Sequence, residues 1–219
     1  MKIRRIFICF FSLFSVFGIS QQKKDTAKVK WHYQPNFMVG ADVLNGGLSF
    51  FRDRKVYQGF VSTMLKKNLH AAIDVGFEKN IYQKNNYDAS VSGPYLKLGA
   101  FYMLAKDPEN QLNGFFAGGK LAGSVYKQEY FAVPVRGYGG SNSSVAFPSS
   151  TQSSYWLEGT IGGRVQLFSS HYYIEMQIQP RYLLYSTKQD NLKPMIVPGF
   201  GKSSTNFNLG VSWSLAYSF

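Results

Sequence analysis

Nine ionisable side chains carry most of the chemistry open to this 219-residue chain. Asp42, Asp74, Glu78, Glu158 and Glu175 are acidic, and Lys97, Lys120, Arg164 and Arg181 are basic. All nine fall on one face of segments in which apolar and polar residues alternate. Two carboxylates on one face, such as Asp74 and Glu78, could share the roles of general acid and general base. The four cations on the same face point to a different use. Opposite charges held together neutralise one another, which is the condition for tolerating charge in a crowded interior. Structural pairing is therefore expected, with proton transfer as the alternative.

Other chemistry finds little support. His32, His70 and His171 share no metal-ligand spacing, and each reads as a satisfied surface or interfacial histidine. Gly137-Tyr138-Gly139-Gly140 is followed by neither a helix nor a lysine at phosphate-loop spacing. Ser141, Ser143, Ser144, Ser149, Ser150, Ser153 and Ser154 lie in a Gly/Ser-rich stretch without histidine, which reads as a flexible loop. No catalytic residue, cofactor or metal is expected, and the chain is not expected to be an enzyme. The alternative is an envelope enzyme acting on lipid A or peptides. It would need acidic or serine residues gathered at one rim by folding.

The elements that must position these charges are strands. Eight segments alternate: 36–44, 57–65, 69–82, 95–104, 114–126, 154–168, 172–186 and 205–219. Successive side chains of a strand point to opposite faces, so each segment has an apolar and a polar side. In the last segment Val211, Trp213, Leu215, Tyr217 and Phe219 continue the apolar side to an aromatic end, a pattern that suits a carboxy-terminal barrel-assembly signal. Connections after the second and sixth segments are short, at 66–68 and 169–171, and the one after the fourth, at 105–113, is moderate. The others, at 45–56, 83–94, 127–153 and 187–204, are long. That split predicts an all-β fold: an eight-stranded antiparallel up-and-down transmembrane barrel with short periplasmic turns and long outer loops. Asn45-Gly46-Gly47 reads as a bend, and no helix is expected.

The amino-terminus adds a compartment. Lys2, Arg4 and Arg5 precede an apolar run over 6–17 and the small residues of Gly18-Ile19-Ser20, as in a secretory signal covering 1–20. Residues 21–35 are polar and basic and are expected to form a periplasmic leader before a barrel over 36–219. The single cysteine, Cys9, lies within the signal, so the exported product has no thiol for a disulfide or thiolate site. The formal net charge is +12. Solvation of loops and turns is the favoured reading of that charge, and the partners expected for an exported basic chain are outer-membrane lipid and lipopolysaccharide rather than nucleic acid.

Alternation alone leaves open which face is inside. A soluble calyx would wet the nine charges, whereas a membrane barrel would enclose them. An Arg or Lys facing lipid would cost roughly 2–4 kcal/mol at the bilayer midplane. The split connections favour the membrane barrel. So do the aromatics near segment ends, at Phe37, Tyr57, Tyr155, Tyr172, Tyr217 and Phe219. A plugged lumen is expected, in the cell outer membrane, with a narrow pore as the alternative.

Two loops are unusually apolar. One carries Tyr130, Phe131, Val133, Val135, Tyr138 and Phe147, and the other Met195, Ile196, Val197 and Phe200. They could pack as a lid over the barrel mouth or bind an outer-membrane protein or lipoprotein partner. The basic cluster from Arg52 to Lys55 could touch lipopolysaccharide phosphates, although a solvated loop is the favoured reading.

Several stretches carry a family resemblance: the signal followed by Gln21-Gln22, the opening strand Phe37-Met38-Val39-Gly40-Ala41-Asp42, the sequence Gly76-Phe77-Glu78, and the aromatic-ended strand from Asn208 to Phe219. Together they resemble a small Bacteroidota outer-membrane β-barrel family of unknown function, of OmpA-like or OmpX-like shape. The resemblance covers nearly the whole mature chain. It implies a fold and a compartment without catalytic residues. It also implies an accessory role as a scaffold or docking subunit of a larger outer-membrane complex, including the barrel-assembly machinery.

Overall fold

The computed structural model describes residues 36–136, 142–189 and 192–219. The expected signal over 1–20, the leader over 21–35 with His32, and Tyr138 with its glycine run lie outside the described residues.

Alternation becomes a closed wall. The wall strands are β1 (Phe37–Asp42), β2 (Arg54–Lys66), β3 (Leu69–Lys84), β4 (Tyr87–Lys106), β5 (Gly114–Arg136), β6 (Asn142–Gln166), β7 (Tyr172–Ser186) and β10 (Phe207–Ser218). They close an antiparallel barrel in the order β1-β10-β7-β6-β5-β4-β3-β2. The strands β8 (Ile196–Val197) and β9 (Gly201–Lys202) form a separate two-stranded sheet. Closure sets Met38 opposite Ser218, and the Phe219 amide donates to the Phe37 carbonyl at 2.9 Å. The start of β1 and the end of β10 thus share one rim with the connections after β2, β4 and β6.

The wall is apolar outside and polar inside at the same height. Ile73, Leu98, Leu121 and Leu157 are register partners across four strands and are 47–57% exposed. One residue away on each strand, Asp74, Lys97, Lys120 and Glu158 point inward and are buried. Among the described residues nothing covers the exposed aliphatic layer, while the charges inside are enclosed with one another. A water-soluble fold would reverse both.

Several connections differ from expectation. The stretch 83–94 is no long loop: β3 and β4 run on to a two-residue turn at Asn85 and Asn86, with φ of 53° and 63°. Asparagine tolerates that left-handed backbone, as a tight hairpin requires. β4 therefore starts well before 95. Pro94 has no amide to donate, and β4–β5 pairing skips from Ser92↔Lys127 to Tyr95↔Ser124 around it. The Ser124 hydroxyl donates to the Pro94 carbonyl at 2.9 Å instead.

The stretch 127–153 is likewise mostly strand. β5 and β6 continue as a paired arm past the last β7 partner, Ser154↔Ser186, and β4 flanks the base of that arm as far as Asp88↔Ala132. The Ser-rich part of that stretch is strand from 142 to 150 rather than a flexible loop.

A helix also appears where only a bend is expected. Asp42 ends β1 by accepting from the Asn45 amide at 3.1 Å and so caps a six-residue helix α1 (Val43–Leu48).

Candidate functional site

The lumen is the site the strands build. At mid-height Lys120 Nζ contacts Asp74 at 2.6 Å and Lys97 Nζ contacts Glu158 at 2.9 Å. Arg181 Nε shares the same Glu158 carboxylate at 2.9 Å. Nearer the rim that carries the termini, Arg164 Nη2 meets Glu175 at 2.5 Å. Its guanidinium lies over the rings of Phe101 and Phe116, at 5.4 and 5.7 Å from their centroids. Gln177 donates to Glu175, and Gln179 donates to Gln177, which extends the network with neutral groups. Charge inside a narrow wall survives because each of these ionised groups has an opposite partner, and Glu158, Glu175 and Arg181 have further hydrogen bonds.

Eight of the nine residues expected on the polar face therefore meet in ion pairs. Asp42 does not; it caps α1 and also accepts from the Asn45 side-chain amide at 2.6 Å. One member escaped sequence reasoning. Arg54, expected in a solvated or lipopolysaccharide-touching loop, begins β2 and binds Glu78 at 2.7 Å. The signal was its phase: Arg54 sits an even number of residues from Phe60, which points inward.

Both ends of the lumen are filled. At one rim Leu112 packs with Met38, Phe60, Tyr173 and Ala216, while Asn110 donates to Gln166 at 2.7 Å and to the Tyr173 hydroxyl at 3.1 Å. At the other rim the β8–β9 hairpin folds inward. Ile196, Val197 and Phe200 are buried against Val91, Tyr95, Tyr126, Trp156 and Leu183, and Met195 packs against the cluster from outside it. This corrects the partner-binding alternative for Ile196, Val197 and Phe200: a side chain sealed in the mouth has no surface to offer a partner.

The plug is bonded as well as packed. Phe200 O accepts from Arg181 Nη1 at 3.1 Å, and the Gly199 amide donates to Glu78 at 2.9 Å. Gly199 has φ of +77°, and a Cβ there would drive into the Tyr95 ring. Only glycine suits both demands.

The arm holds the other apolar residues. Tyr130 is buried, donates to Lys193 O at 3.3 Å and meets Phe147 edge-on at 6.2 Å between centroids. Val133 is half-buried, whereas Phe131, Val135 and Val145 remain exposed. Of the outward residues of β10, Val211, Trp213 and Leu215 are 41–49% exposed, Tyr217 is half-buried and Phe219 is exposed. Among the described residues no three His, Cys, Asp or Glu side chains converge as metal ligands. His70 stacks on Phe101 at 5.0 Å and His171 lies 5.6 Å from the Tyr217 ring.

A closed eight-stranded antiparallel barrel, apolar outside and charge-neutralised inside, defines the class of this protein. Its sequence matches the family described as a domain of unknown function, DUF6048, over residues 2–219, and the chain belongs to that family. No curated protein sequence is significantly similar to it. Among solved structures it is similar to the amino-terminal β-barrel domain of Pseudomonas aeruginosa OprF, at 9% identity and a TM-score of 0.37, covering 85% of this chain and 100% of that one. It is also similar to Neisserial surface protein A, at 12% identity and a TM-score of 0.41, covering 84% and 96% respectively.

Proposed function

We propose that this chain is a non-enzymatic barrel of the cell outer membrane, with its lumen sealed, that serves as a scaffold or docking subunit. The β5–β6 arm carries this reading: Phe131 is exposed at its base and Val135 and Val145 farther out, on a barrel whose interior is closed at both ends. An apolar surface held clear of the wall on paired strands suits contact with another outer-membrane protein or lipoprotein. The rim with the termini would face the periplasm and the arm the exterior. The aromatic-ended β10 would serve the barrel-assembly machinery during insertion, and lipid and lipopolysaccharide would surround the wall. Membranes solubilised gently should yield the barrel with a partner. Removing 130–147 should abolish that co-purification while the barrel keeps its heat-modifiable gel mobility. Purification of the intact chain alone would refute docking.

A narrow pore is the second reading, suggested by the charged interior. Ion pairs and two packed ends oppose it. Planar bilayers containing the barrel should stay silent, and steady single-channel currents would favour the pore.

A further inference from the structure

The wall has a gap that the ion-pair network does not explain. β1 pairs with β10 only over Ser214–Ser218 and with β2 only over Gly59–Thr63. Above it, β10 from Phe207 to Trp213 and β2 from Arg54 to Gln58 face each other with no strand between them among the described residues, while each keeps its other neighbour. α1 bridges the opening. The Asn45 side chain donates to Val211 O at 3.2 Å, and the Ser49 hydroxyl accepts from the Val56 amide at 2.7 Å.

The edges are capped elsewhere too. Thr205 Oγ1 donates to Phe207 O at 2.7 Å, and the Leu209 amide donates to Asn208 Oδ1 at 2.8 Å. Edge groups satisfied by side chains do not invite an added strand, and in lipid each unsatisfied one would cost several kcal/mol. The gap is thus a built opening rather than an unfinished ladder.

A cavity of about 230 Å³ lies behind it. Its lining includes Glu78 and Arg181, which point into the lumen, and Leu209 and Val211, which point out of the barrel. A cavity touching both sides crosses the wall. Leu209 and Val211 are register partners of Pro180 and Ile178, just below the Phe207↔Tyr182 pair. The opening therefore sits within the apolar band, in the half nearer the arm. Beside α1, Phe50 and Phe51 are 81% and 88% exposed.

Arg54, Arg181 and Lys202 line the cavity against Asp42 and Glu78, and Arg181 is neutralised by Glu158 behind it, so among the described residues the unpaired positive charge is that of Lys202. Both carboxylates are engaged, Asp42 by Asn45 and Glu78 by Arg54 and the Gly199 amide. Arg54 remains 40% exposed, and Lys202 is exposed with no ion pair among the described residues. Cations left with spare donors at an apolar threshold select an anionic headgroup with hydrocarbon attached.

We infer that this opening is a lateral binding site for a net-anionic phosphorylated amphiphile of the outer leaflet, as opposed to a zwitterionic one. The phosphate lies against Arg54 and Lys202, and acyl chain lies along Leu209, Val211 and the Phe50–Phe51 pair. The inference rests on the outer-membrane reading above.

The test uses the full-length barrel folded in detergent, with bound lipid read by native mass spectrometry. The probes are diphosphorylated lipid A, phosphatidylcholine and inorganic phosphate. Lipid A should be held at least about tenfold more tightly than phosphatidylcholine, the ratio expected when one charge-assisted contact is lost. Lys202→Gln, on an exposed site, and Arg54→Gln with Lys202→Gln should each erode that preference, whereas Lys127→Gln, exposed on β5 away from the opening, should not. Equal retention of both lipids, or an unchanged preference in Lys202→Gln, overturns the inference. Inorganic phosphate that competes as well as lipid A overturns the lipid source, because the apolar threshold would then contribute nothing. Each variant is checked for its heat-modifiable band. A folded barrel inserted in membranes but without selectivity sinks this inference alone, and a chain absent from membranes sinks the outer-membrane reading with it.

Discussion

Glu158→Ala is expected to cost about 3–5 kcal/mol of barrel stability. Glu158 is the one carboxylate bonded by Lys97, through both oxygens at 2.9 and 3.1 Å, and neither side chain has measurable exposure. Truncation would leave an ammonium enclosed by wall on all sides. Arg181 would lose one partner but keep Gln179 and Phe200 O. Urea titration of the folded gel band, or of tryptophan fluorescence in detergent, reads the loss. Pairing Lys97→Met with Glu158→Gln should recover most of it, because the stranded charge is gone while Arg181 keeps a hydrogen-bond acceptor. A cost below about 1 kcal/mol, the scale of a solvated pair, would mean that water reaches Lys97 and the lumen is open.

Leu121→Arg is expected to cost roughly 2–4 kcal/mol in lipid, because a guanidinium replaces a side chain in the middle of the apolar band. Leu121 lies in the exposed layer with Leu98 and Leu157 as register partners. The comparison is Phe131→Arg on the arm, also exposed, where the cost should fall to about 0–1 kcal/mol outside the hydrocarbon. Refolding into vesicles followed by urea unfolding measures both. Equal, negligible costs would favour a water-soluble barrel, for which Leu121→Arg is one more surface charge.

Much of the wall was legible because alternation is a local signal. Tyr172–Ser186 matches its expected segment, and β10 falls within the expected 205–219. Legibility ended where strands carry residues that punctuate loops elsewhere. Gly93-Pro94 hid the first part of β4, since the tolerance for Pro94 comes from a pairing skip and the Ser124 hydroxyl on another strand. Asn85-Asn86 lacks the glycine that marks most tight hairpins. In the arm, register shifts between Gln128 and Val133 break the period of two.

The charged face was readable, but its pairing was not. Asp74 is directly opposite Lys97, and Lys120 opposite Glu158, yet the bonds cross over: Lys120 takes Asp74 and Lys97 takes Glu158. A narrow cylinder brings alternate strands within reach of one long lysine, and only the closed geometry decides the exchange. The plug was equally hidden, because Ile196 to Phe200 form an apolar run whose direction, inward or outward, has no periodic signature.

Labelling the unaltered barrel with a photoactivated carbene dissolved in the acyl phase, then mapping the modified residues by mass spectrometry, asks directly which side of the wall meets hydrocarbon. Label should concentrate on Ile73, Leu98, Leu121, Leu157 and Ile178, which are exposed, and should spare Phe116, Ala122 and Trp156, which are buried inside. Modification of Phe116 or Trp156 at the level of Leu121, or recovery of the chain as an unlabelled, freely water-soluble monomer, would contradict an apolar exterior wrapped around paired charge.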